Sequence, residues 1–134
     1  MSKILVDTSV WIDALNGKIN KQTKKLLSLI EKDISVVICP VIVQEILQGI
    51  KDEKQFREVK ENLTGFELLN LDSLTAAYGA ADLYRSIRKK GITIRKSNDC
   101  LIAFYAIHHK ARLLHNDKDF VRIAKNSSLS VMMK

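Results

Sequence analysis

Five short apolar runs, residues 3–6, 35–39, 66–69, 113–115 and 129–132, are strung between longer amphipathic stretches. They lack the regular alternation of a strand with one wet face. Such runs suit strands buried on both sides, which means a parallel sheet with helices above and below it. The intervening stretches supply the helices. A short one carries Val10, Trp11, Ile12 and Leu15, with Thr8 or Ser9 as its cap and Asn16-Gly17 at its end. Residues 20–32 set Leu26, Leu27, Leu29 and Ile30 among lysines, an amphipathic helix with a basic outer face. Pro40 fits the opening turn of a helix running to Gly49. Further helices are expected over 53–63, 73–90, 99–110 and 120–125, with 92–97 basic and irregular. One proline and five glycines in 134 residues leave little room for a linker. The expectation is a single α/β domain over 1–134, three-layered α/β/α around a mostly parallel central sheet.

Sheets of this kind bind and react beyond the carboxyl ends of their strands, near the point where strand order reverses. Acids stand there. The first run ends in Asp7, and the fourth is followed at once by Asn116-Asp117. An aspartate after a strand also serves as a helix cap, so Asp7 alone leaves both roles open. Glu45 constrains more. Val41, Ile42, Glu45, Ile46 and Gly49 share one stripe of their helix, which puts a carboxylate on the face that meets the core, or at the edge of that face beside a lysine. Asp99 lies on the inward stripe of Ile102, Ala103, Ala106 and Ile107. A first-turn aspartate is favourable to a helix, yet Ser97 or Asn98 is already available to cap this one.

Carboxylates gathered in one place repel one another unless a cation sits among them. Ligation by oxygen alone suits a hard divalent ion, Mg²⁺ or Mn²⁺, whose common enzymatic task is phosphoryl chemistry. The chain carries 22 Lys and Arg against 15 Asp and Glu, a net charge of +7 that favours a polyanionic partner such as nucleic acid. Arg85, Arg88 and Lys89 share a helix face, and Lys90, Arg95 and Lys96 lead towards Asp99, so an RNA-guiding run is expected there alongside the plain alternative of a solvated face. Cys39 and Cys100 lie far apart without metal or redox spacing and read as reduced core residues. His108 and His109 are adjacent, hence on different helix faces, and make a poor metal pair. Trp11 reads as core or as the wall of a partner-binding groove. The apolar run before Asp7 is too short for a signal peptide or a membrane span, so a cytoplasmic protein is expected.

The stretch Ile4-Leu5-Val6-Asp7-Thr8-Ser9-Val10-Trp11-Ile12-Asp13 resembles the start of a PIN domain, closely that of the VapC-type toxins of type II toxin–antitoxin pairs. The resemblance continues in Val43-Gln44-Glu45-Ile46-Leu47-Gln48-Gly49, in Asn98-Asp99-Cys100-Leu101-Ile102-Ala103 and in Asn116-Asp117-Lys118-Asp119-Phe120. It implies a PIN-like fold and a Mg²⁺- or Mn²⁺-dependent endoribonuclease, usually a homodimer, that cleaves RNA and is inhibited by a cognate VapB-like antitoxin. Carried over by position, Asp7, Glu45, Asp99 and Asp117 form the catalytic and metal-binding quartet, Thr8 or Ser9 supports it, and Asp119 is an auxiliary acid. The family commonly has Thr or Ser two residues before the fourth acid, where this chain has His115. Other classes fit less well. A HAD-type phosphatase needs a second acid where Ser9 stands, and a receiver domain needs an acidic pair after the first strand. The remaining rival is a catalytically inactive PIN-like module that binds RNA or protein, which would have been free to lose some of the four acids.

Overall fold

The computed structural model describes residues 2–133. Its five strands are short: β1 (Ile4–Val6), β2 (Val36–Ile38), β3 (Glu67–Leu68), β4 (Arg112–Leu114) and β5 (Val131–Met132). They form one sheet in the order β3-β2-β1-β4-β5, and every pairing is parallel. The three central strands are Ile, Leu and Val at nearly every position and almost wholly buried, so their apolar runs reflect cover on both faces. The two edge strands are shorter than the apolar runs that announce them.

Seven helices connect the strands: α1 (Thr8–Leu15), α2 (Lys21–Glu31), α3 (Pro40–Gln48), α4 (Glu53–Leu63), α5 (Ser73–Arg88), α6 (Ser97–His108) and α7 (Lys118–Lys125). One set packs as α1 on α2 and α3, and α3 on α4; the other as α5 on α6, and α6 on α7. The sets meet where α3 touches α6. Pro40 opens α3 as expected, because its missing N–H lies where a helix has no acceptor for it. Chain order runs β1, β2, β3 to one side and β4, β5 to the other, so strand order turns between β1 and β4. No helix among the described residues is long and apolar enough to cross a membrane.

One expectation about apolar faces changes, and for Trp11 the first of two alternatives holds. Of the four apolar residues expected on the covered face of α2, Leu26 and Leu29 are buried, while Leu27 is 56% and Ile30 41% exposed, so the covered apolar stripe is narrower than expected. Trp11 belongs to the core. Its indole N–H donates to the Val6 carbonyl at 3.0 Å and its ring meets Phe66 edge-on at 5.2 Å, so it forms no groove wall.

The α5–α6 contact depends on a missing side chain. A Cβ on Gly79 would lie 2.2–2.4 Å from the Phe104 ring, far inside van der Waals contact. Gly79→Ala is therefore expected to destabilise the protein by about 1–3 kcal/mol through overpacking. Chemical denaturation measures it, and the cost should shrink in a Phe104→Leu background, where the ring is gone. An equal cost in both backgrounds would assign the effect to something other than this contact.

Candidate functional site

The turn in strand order sits where β1 and β4 end, and two helix starts face each other across it. The Asp7 N–H donates to the Leu114 carbonyl at 2.9 Å, which carries the β1–β4 ladder up to the acid itself. The Asp7 carboxylate accepts from the Ser9 N–H at 3.0 Å and the Ser9 hydroxyl at 2.6 Å. The cap of α1 is thus Asp7, not the expected Thr8 or Ser9. This frees Thr8, whose hydroxyl donates to Glu45 Oε1 at 2.6 Å. Burial pushes the Asp7 carboxyl above its ordinary value; Ser9 opposes the rise and the nearby Glu45 charge adds to it.

Glu45 lies beside the buried Val41, Ile42 and Ile46 of α3 but is itself half-buried, at the margin of the stripe. Gly49, counted on the same stripe, is exposed and ends the helix. The other Glu45 oxygen accepts a long bond, 3.4 Å, from the Asn98 amide. Asn98 and Ser97 do not cap α6, because the cap position is Lys96 and no side chain bonds there. Asp99 is therefore no substitute for a better cap. It is 5% exposed, and its Oδ2 has no hydrogen-bond partner. Burial, with Asp7 next in weight, raises its pKa from 3.8 to about 7, against the pull of Lys96.

Asp117 caps α7 by accepting the Asp119 N–H at 3.0 Å, and its second oxygen accepts from Lys96 Nζ at 3.0 Å. Burial alone would raise Asp117, but the Asp119 N–H, Lys96 and Arg95 together hold it below the usual carboxylate range. The helix opens at Lys118, two residues before the expected start, because Asp117 rather than a later residue turns the chain. His115 stabilises the same turn. Its Nδ1 accepts the Asp117 N–H at 3.2 Å, which needs a neutral ring, and burial lowers the imidazole pKa accordingly.

Asp119, expected as an auxiliary acid, lies within the cluster itself. It is 2% exposed, and its Oδ2 is buried without a hydrogen-bond partner. One oxygen each from Asp99, Asp117 and Asp119 lie within 4.8 Å of one another. The signal for it was present in the sequence. Asp119 sits four residues before the buried Ile123 on α7, as Glu45 sits four residues after Val41 on α3.

The expected quartet is thus distributed over two adjoining groups. Asp7, Glu45 and Asp99 line a cleft of about 280 Å³ with Thr8, Ser9, Gln48 and Lys96. Asp99, Asp117 and Asp119 form the tighter trio. Asp99 belongs to both. Every donor is a carboxylate oxygen, and two of these oxygens, Asp99 Oδ2 and Asp119 Oδ2, are buried without a hydrogen-bond partner, which is costly for charged groups so closely gathered. This donor set fits a hard divalent ion. The thiols offer no alternative, since burial pushes Cys39 up to about 12 and Cys100 up to about 11.

The basic run divides. Lys96 lines the cleft, and Arg95 Nε stands 3.5 Å from Asp119 Oδ2. Arg88 lies over the Tyr84 ring and Lys90 donates to the Asn126 carbonyl, both away from the cleft.

Comparison with known proteins agrees with this geometry. The chain is 37% identical over 129 residues, 94% of its length and 95% of theirs, to a VapC ribonuclease of Mycobacterium bovis and to ribonuclease VapC11 of Mycobacterium tuberculosis. Among solved structures, the fold matches chains in VapBC2 of Rickettsia felis bound to a promoter DNA fragment (TM-score 0.76, 22% identity, 96% of each chain) and in VapBC-1 of nontypeable Haemophilus influenzae (TM-score 0.72, 22% identity, 96% of each chain). The PIN domain model spans residues 4–126, a stretch that takes in all five acids described above. With sheet order, strand-end acids and family match in agreement, the chain belongs to the PIN domain family.

Proposed function

We propose that this chain is a divalent-metal-dependent endoribonuclease, using Mg²⁺ or Mn²⁺, and the toxin half of a type II toxin–antitoxin pair. The observation that carries the reading is the group of carboxylates at the turn in strand order, two of whose oxygens are buried without hydrogen-bond partners. The ribonuclease names of relatives at 37% identity support RNA as the substrate. Their VapC names support a VapB-like antitoxin as partner. A cytoplasmic homodimer of single-domain chains, 1–134, completes the proposal.

In this reading Asp7, Glu45, Asp99 and Asp117 would hold the metal, with Asp119 beside Asp99 and Asp117. When bound, Mg²⁺ or Mn²⁺ supplies Lewis-acid polarisation of a phosphoryl oxygen and makes water a stronger nucleophile. The remaining residues keep the carboxylates in position. Ser9 fixes the Asp7 oxygen, and its hydroxyl also accepts the Asn116 N–H at 3.2 Å, tying the β1 and β4 junctions together. Asn116 further donates to Asp13 at 3.4 Å, which accepts from Asn20 as well. Thr8 holds Glu45, and His115 holds the turn that presents Asp117.

The test is cleavage of a single-stranded RNA by the purified chain with Mg²⁺, with Mn²⁺ and with excess EDTA. Cleavage is expected with either ion and none with EDTA, and Asp7→Asn should be inactive while still folded. Full cleavage in EDTA, or wild-type rates from Asp7→Asn, would overturn the proposal.

A further inference from the structure

Lys96 is the one cation that lines the acidic cleft among the described residues. Its position follows from local structure. The chain enters α6 in extended conformation at Lys96, and the Asp99 N–H donates back to the Lys96 carbonyl at 3.0 Å. Lys96 is thereby fixed one turn ahead of Asp99, but its side chain, 60% exposed, turns across the site to Asp117, whose own side chain is only 13% exposed. Asp7 and Asp99 also lie near enough for their charges to favour the ammonium form.

Resting on the ribonuclease reading above, we propose that Lys96 is the resident counter-cation of the acid cluster and that it transfers from Asp117 to a phosphate oxygen of the RNA once a divalent ion is bound. Three features lead there. The ammonium is a compact point charge on a flexible stem, suited to exchanging one oxyanion for another. Its partner Asp117 is one of the three acids whose oxygens converge, so a divalent ion draws on the same carboxylate. Lys96 also stands on the rim, exposed to arriving substrate, where an exposed ion pair is weak enough to exchange. The other basic residues of the run lack this combination. Arg95 is more exposed and sits farther from its carboxylate, and Arg88 and Lys90 are engaged elsewhere.

The proposal predicts opposite effects on metal and on RNA. Removing the ammonium leaves the acids more negative, so Lys96→Met should bind Mn²⁺ a few-fold more tightly. The same variant should raise KM for single-stranded RNA by about tenfold with little change in kcat, the pattern of lost uniform binding. It should also lower the slope of log KM against log salt by about 0.7, the loss of one phosphate contact. Lys96→Arg, which keeps the charge, should stay near wild type in KM and in Mn²⁺ affinity. Calorimetric Mn²⁺ titration without RNA and steady-state cleavage read the two effects separately. If Lys96 merely oriented Asp117 as a ligand, Lys96→Met would weaken Mn²⁺ binding, and that result overturns the proposal, as does an unchanged KM. Wild-type protein that neither binds Mn²⁺ nor cleaves RNA would instead overturn the ribonuclease reading, and this inference with it.

Discussion

Metal-free protein is expected to lose stability as pH rises from 3.8 to about 7, and Asp99→Asn to abolish most of that loss. The folded state raises the Asp99 pKa, so it holds this proton more tightly than the unfolded chain does. The stabilisation is complete below 3.8 and is lost as pH climbs through about 7. At about 1.4 kcal/mol per pH unit between the two values, the loss is on the order of 4 kcal/mol. Asp7, also raised by burial, adds in the same direction. Asp117 is held low instead, so its contribution is present above 3.8 and fades only as pH falls below that. Asn at position 99 carries no charge, keeps nearly the same shape and can donate to a neighbouring carboxylate. At pH 8 in EDTA, Asp99→Asn should therefore melt on the order of 10 °C above wild type. At pH 4 the two should melt together. A variant less stable than wild type at pH 8 would mean that burial and the neighbouring acids place no net cost on the Asp99 charge.

A large effect is also expected from Thr8→Val, a substitution that removes one hydroxyl and no volume. The Thr8 hydroxyl donates to Glu45 at 2.6 Å, and among the described residues the only other hydrogen bond to that carboxylate is the long one from Asn98. Without Thr8, Glu45 is free to turn towards solvent from its margin of α3. Loss of such a supporting hydrogen bond costs about 10–100-fold in metal affinity or activity. Thr8→Ser keeps the donor and should retain most of the cleavage rate. Because Thr8 lies in the first turn of α1 and the cap is Asp7, the helix itself should survive in both variants. Cleavage assays on the Val and Ser variants, with circular dichroism for the fold, measure the difference. Equal losses in the two would assign the effect to packing around Thr8 instead of its hydroxyl.

Legibility in the sequence followed range. The strand cores of β1, β2 and β4 and the inward faces of α3 and α6 could be read because each is a property of neighbouring residues: apolar runs, or a stripe of three- and four-residue spacings. Asp7, Glu45, Asp99 and Asp117 were recognisable for the same reason, since each interrupts such a local pattern or ends it. The grouping of the acids was not readable. That Asp119 joins Asp99 and Asp117, while Glu45 reaches the site through Thr8, depends on how α7, α6 and α1 meet in space. Cap assignments failed by a residue or two at α1 and α6, and the start of α7 by two residues. At α1, Asp7, Thr8 and Ser9 stand side by side and propensity cannot choose among residues that all cap well, whereas α6 starts behind Lys96, which propensity does not favour and which makes no side-chain cap. The reach of Lys96 to Asp117, across 21 positions, had no sequence signal beyond its charge.

Metal-linked stability tests the acid cluster most directly, because it needs neither the right RNA nor an active preparation. Thermal melts of wild type and Asp99→Asn at neutral pH, in EDTA and in Mn²⁺, give the comparison. An ion that binds only the folded state stabilises it by about 2.7 kcal/mol at a hundred times its dissociation constant. For a domain of this size that is a rise on the order of 10 °C. Wild type should show this rise and Asp99→Asn a much smaller one, since Asp99 belongs to both groups of acids. No rise in wild type, or equal rises in the two proteins, would contradict a metal centre built on Asp99.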